Sequence, residues 1–190
     1  MKYTVIILNL FISVSLFGQK IDYNNFDKKL FEKILFEVLN ERREAKCIET
    51  LVWSKVLYKE VSVHNMDIIT KTNRLHHPDY RAAWDSLRVR QLLANESDKV
   101  IGGKTLISII TGALITYYEN ALRTVKTDMT YRQLAEHSIN LWETSYFHNA
   151  TQYASFLNKD KPGMASCTIG FVKGTNDLYV IFNFVELSRK

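Results

Sequence analysis

A chain of 190 residues, 46% apolar and 24% charged, is long enough for one domain with a real core. Its formal charge of +5 is scattered, since Lys28-Lys29, Arg42-Arg43 and Arg88/Arg90 are separated by acidic or apolar neighbours. That is the pattern of a solvated helical surface, and it argues against a nucleic-acid stripe.

Lys2 and an apolar run from Thr4 to Phe17 precede Gly18 and the polar stretch Lys20-Ile21-Asp22-Tyr23-Asn24-Asn25. This order predicts a secretory signal peptide over 1–18, cleaved after Gly18. The run falls short of the about 20 residues that span a bilayer. No cysteine follows it to carry a lipid anchor. The expectation is a secreted or periplasmic mature chain over 19–190, not integral to a membrane, with no nucleic-acid partner. Its two cysteines, Cys47 and Cys167, are far apart in sequence. In an oxidising compartment they predict either a disulfide, stabilising by up to about 4–5 kcal/mol, or two buried thiols.

Phe26, Leu30, Phe31, Ile34, Leu35, Val38 and Leu39 mark one stripe of a first helix ending near Arg43. A second helix is expected from about Trp53 to Thr70, with Trp53, Val56, Leu57, Val61, His64 and Ile68 on one face. His64 on that stripe reads as a hydrogen-bonded packing histidine. His76-His77-Pro78 breaks the pattern, and a third helix is expected from Tyr80 to about Leu93. Thr105 to Tyr118 has a period that fits either a strand or a buried helix. Thr130-Tyr131-Arg132-Gln133 is a capping box. The helix it opens presents Tyr131, Leu134, Ala135, Ser138, Leu141, Trp142 and Ser145, and a short helix follows through Phe156. Met164 to Lys173 and Leu178 to Glu186 predict two strands joined at Gly174-Thr175-Asn176-Asp177.

These motifs, in this order, resemble the CAP superfamily (cysteine-rich secretory, antigen 5 and pathogenesis-related proteins, the SCP domain) in its bacterial branch. The resemblance covers roughly Phe26 to Val185. Leu39-Asn40-Glu41-Arg42 is similar to the family's first-helix end, and Leu51-Val52-Trp53-Ser54 to the opening of its second helix. His76-His77-Pro78 matches His-x-Pro, favouring His76 over His77. Tyr118-Glu119-Asn120 resembles Gly-Glu-Asn, and Trp142, Ser145 and His148 match Trp-x-x-Ser-x-x-His. Ile169-Gly170-Phe171 and Tyr179 to Phe184 resemble the closing strands. The resemblance implies an α/β fold, a three-layer α-β-α sandwich with a small central antiparallel sheet. It also implies a single domain over 19–190 and a ligand cleft lined by His76, Glu119 and His148.

Three departures accompany it. Glu119 follows His76 by 43 positions, so residues 80–112 look inserted. Tyr118 replaces the glycine before the glutamate. Ser145 stands where eukaryotic members carry a second glutamate, and Glu143, one residue after Trp142, is turned about 100° away on a helix.

Two imidazoles and a carboxylate can share protons, hold a metal or fix a polar ligand. With His76, His148 and the Glu119 carboxylate as ligands, a zinc ion would keep one open position for hydrolysis. No two ligands come from one rigid element, however, as they do in His-Glu-x-x-His. No nucleophile elbow is present. The balance favours a non-enzymatic protein binding a lipid, sterol, peptide or envelope partner. A metal-dependent hydrolase is the alternative, and a purely structural envelope protein is a third.

Overall fold

The computed structural model describes residues 20–75, 88–89, 91–93, 95–96, 115–153 and 163–187. The expected signal peptide, the His76-His77-Pro78 element and most of the expected insertion lie outside them.

Helix α1 (Lys28–Ala45) starts where Asp27 turns extended and its carboxylate accepts from the Leu30 amide at 3.0 Å. The predicted stripe is its inner face, with Phe31, Ile34, Leu35, Val38 and Leu39 buried. Near its end, still within the helix, Asn40 grips the segment that follows. The side-chain amide donates to the Leu51 carbonyl (3.1 Å) and accepts from the Leu51 amide (2.8 Å). That pair leads the chain into β1 (Val52–Trp53).

Three further strands complete the sheet: β2 (Ile115–Val125), β3 (Met164–Phe171) and β4 (Asp177–Leu187), in the order β1-β3-β4-β2. The expected hairpin is β3–β4, with Gly174 at φ 78 in its turn. The ambiguous segment is strand from Ile115 onward, and what precedes it lies outside the described residues. Among the described residues only β1, parallel to β3, departs from antiparallel pairing.

Strand β4 is buried on both faces, so its apolar run is almost continuous. Leu178, Val180, Phe182 and Phe184 pack toward α1 and α4 (Tyr131–Glu143). Tyr179 and Ile181 pack on the other side against Met66 and Ile69. Helix, sheet and helix therefore form the three layers that the sequence implied. Helix α4 begins with the complete capping box of Thr130 and Gln133. Ile139 takes the core position expected of Leu141, which is exposed.

The second predicted helix contains a change of pitch. It runs as α2 (Lys55–Leu57), a π-helical turn (Tyr58–Ser62) and α3 (Val63–Thr72). A π turn inserts one residue and rotates everything after it by about 100°. The inner face therefore passes from Leu57 and Val61 to Ser62, Asn65, Met66 and Ile69. His64, expected inside, is exposed. The third helix is present in its described part: residues 88–89, 91–93 and 95–96 are helical. There Val89 and Leu93 pack with Leu57, Val61, Met164 and Val185.

Of the two outcomes expected for the cysteines, a disulfide or two buried thiols, the disulfide is not formed. Both cysteines are free, Cys47 exposed and Cys167 buried. The Cys167 thiol donates to the Glu32 carbonyl at 3.3 Å, near the start of α1. Cys47 lies beyond the other end of that helix, about 20 Å away along its axis at 1.5 Å per residue. A disulfide needs Cα atoms within about 7 Å.

Gly170 shows how closely α3 approaches the sheet. A Cβ there would stand 2.4 Å from the Met66 sulfur and 2.6 Å from Thr70 Cγ2. Gly170→Ala is expected to destabilise by about 1–3 kcal/mol through overpacking, read as a lower midpoint in thermal or urea unfolding.

Candidate functional site

Of the three residues expected to line a cleft, Glu119 and His148 fall among the described residues, with Glu119 on β2 at one side of the sheet. Glu119 and Asn120 are adjacent on β2, so their side chains leave opposite faces of the strand. Glu119, half-buried, accepts from the Asn65 side-chain amide at 3.2 Å. Its cross-strand neighbour is Asn183. That residue donates to Ser62 Oγ at 2.5 Å, and Ser62 shares a hydrogen with Ser166 Oγ at 2.7 Å. A line of polar side chains thus crosses the face beneath α3, and all except Glu119 are fully buried. Asn65 Oδ1 has no partner among the described residues.

Asn120 leaves the other face, fully buried, and donates to the His148 carbonyl at 2.9 Å. His148, half-buried, lies in the short helix α5 (Tyr146–Gln152), which ends before the predicted Phe156. The structure thus brings the Glu119 and His148 segments together, one β2 residue apart. His76 lies outside the described residues. Trp142 Nε1, Asn120 Oδ1 and the side-chain amide of Gln152 are buried with no partner among the described residues. They stand on the three elements that meet here: α4, β2 and α5. Tyr146 and Phe147, immediately before His148, are 81% and 78% exposed and meet edge-on at 5.5 Å.

Asn65, Ser62, Ser166 and Asn183 were not foreseen. The polar positions in otherwise apolar β3 and β4 were the available signal. Asn65 itself was hidden by the π turn, which exchanges it for His64. Glu143 has another task. It accepts from Arg42 at 2.9 Å and from the Tyr153 hydroxyl, tying α1 to α4 and to the end of α5. Burial would raise its pKa, but these two donors outweigh that and hold it below 4.5. Among the described residues no three His, Cys, Asp or Glu side chains gather as a metal site. Glu119 and His148 are what the described chain offers toward the zinc ion considered above.

No protein-family model matches this chain, and no curated protein matches it in sequence. Solved structures do. An outer surface protein from Borrelia burgdorferi superposes with a TM-score of 0.55 at 14% identity, covering 90% of this chain and 99% of that one. A cysteine-rich secretory protein from Staphylococcus aureus subsp. aureus Mu50 gives 0.51 at 16% identity. It covers 84% of this chain, which spans 39% of the staphylococcal one. The chain has a CAP-like fold. The resemblance read over roughly Phe26 to Val185 agrees with that three-dimensional match in fold.

Two outcomes are expected. Asn120→Ala removes the amide that donates to the His148 carbonyl, which costs about 1 kcal/mol. Hydrogen exchange should show faster amide exchange in α5 than elsewhere. A carboxylate held low stabilises above its ordinary pKa, and that gain is lost as pH falls through the lowered value. Glu143→Gln should therefore melt earlier than wild type at neutral pH, with the gap closing in acid below 4.5.

Proposed function

We propose that this is an exported CAP-like protein that binds a ligand or envelope partner at a cleft formed by His76, Glu119 and His148. Two features support export. They are the leader pattern at 1–18 and structural neighbours described as an outer surface protein and a secretory protein. The observation that carries binding is the exposed Tyr146–Phe147 pair beside His148. Aromatic rings held outward on an anchored helix suit contact with an apolar partner, a peptide or a lipid chain. Asn120 Oδ1, the side-chain amide of Gln152 and the indole N–H of Trp142, buried and without a partner among the described residues, add donors and acceptors that orient a polar group.

The experiment titrates purified protein with solubilised envelope fractions and, separately, with fatty acid, sterol and zinc. Saturable binding should weaken at least tenfold in His148→Ala and in Tyr146→Ala/Phe147→Ala, with unchanged melting. Identical binding in all three proteins would refute the cleft. Micromolar zinc binding with hydrolytic turnover, both lost in His148→Ala, would instead identify a hydrolase.

A further inference from the structure

Strand β1 pairs only with Met164 and Ala165 of β3. Beyond them Glu32 reaches from α1 to the opposite face of β3. Its carboxylate accepts from Thr168 Oγ1 at 2.6 Å and from the Tyr58 hydroxyl of the π turn at 3.0 Å. Its cationic neighbour is Lys28, at 3.7 Å. The residue is 5% exposed, yet it lines a pocket of about 400 Å³ between α1, β1 and the π turn. That volume suits a small ligand. This pocket lies at the β1 side of the sheet, opposite the β2 edge that carries Glu119, and does not depend on the reading above.

Its walls are aromatic. Phe36 and Trp53 meet at 5.3 Å and 80°, and Trp53 and Tyr58 at 5.4 Å and 42°. A flat ring stacks on one such face, whereas a compact cation touches several ring faces at once. A desolvated carboxylate at the floor favours the same guest. The rim has the opposite sign. Lys33 pairs with Glu37 at 3.8 Å, one turn along α1 from Lys29, which has no ion-pair partner among the described residues.

We propose that this pocket binds a zwitterion, its alkylammonium group held among Phe36, Trp53 and Tyr58 over the Glu32 carboxylate and its anionic group held by Lys29. Phosphocholine has this chemistry, free or as a lipid headgroup. The titratable groups facing the Glu32 carboxyl are Lys28 on its own helix, Tyr58 on the π turn and Cys167 on β3. Lys29, Lys33 and Glu37 stand around the mouth. Burial raises the Glu32 pKa above 4.5 against the pull of Thr168, Lys28 and Tyr58, and pushes Tyr58 up to about 12. The protonated acid loses the floor charge, so affinity should fall as pH drops through the raised Glu32 value.

The test is calorimetric titration of the purified protein with phosphocholine, and co-sedimentation with phosphatidylcholine vesicles. Saturable binding of either form is expected, and the form that binds identifies the source. Affinity should drop at least tenfold in Glu32→Gln, which keeps the shape of the floor, and in Trp53→Ala, with folding checked by circular dichroism. Binding of neither form overturns the proposal. So does equal affinity for glycerol phosphate, which lacks the ammonium, or for glucose, or unchanged affinity in a folded Glu32→Gln protein.

Discussion

The hydrogen bond from Asn183 to Ser62 governs much of this molecule. Strand β4 is covered by helices on both faces, so a polar side chain there must find its partners inside the protein. Ser62 and Ser166 meet that need only if the second helical stretch turns Ser62 toward the sheet. The π turn supplies the rotation at a modest local cost in hydrogen-bond geometry. Everything after it inherits the new face. Asn65 meets Glu119, Met66 drops into the space left by Gly170, and His64 goes to solvent.

The two edges of the sheet have contrasting chemistry. At β2 the polar groups are side-chain amides, the Glu119 carboxylate and the His148 carbonyl, distributed over α3, β2 and α5. At β3 one carboxylate crosses the strand where β1 stops, and hydroxyls from two other elements hold it among aromatic rings. A longer β1 would pair with Ser166 and Thr168 and shut Glu32 out. The brevity of one strand thus makes a pocket where an ordinary sheet would have another row of hydrogen bonds.

Much of the architecture was legible in the chain. The stripes of α1 and α4, the capping box at Thr130 and the β3–β4 hairpin follow from local periodicity and turn chemistry, which a sequence displays directly. Order and spacing of the motifs around Trp53, Glu119, Trp142 and Gly170 carried the fold. What local pattern could not show was an added residue within a helical turn, because periodicity alone does not record where the pitch changes. The cysteine pair failed for a related reason. Two cysteines in a chain say nothing of the rigid helix that holds their surroundings apart. The Glu32 pocket was equally hidden, since Lys28, Glu32 and Glu37 read as an ordinary charged helix surface until the strand edge beside them is known.

The strand order also bears on how the chain reaches this state. The fourth strand in sequence lies inside the sheet, with the second and third on either side of it. The first strand joins a partner more than roughly a hundred residues downstream, a separation that slows folding through the entropy of closing so large a loop. A polypeptide emerging amino-terminus first would hold its early helices without a surface to bury against until the late hairpin arrives. During that interval their apolar faces stay accessible, so assembly awaits the β3–β4 hairpin and does not proceed piece by piece.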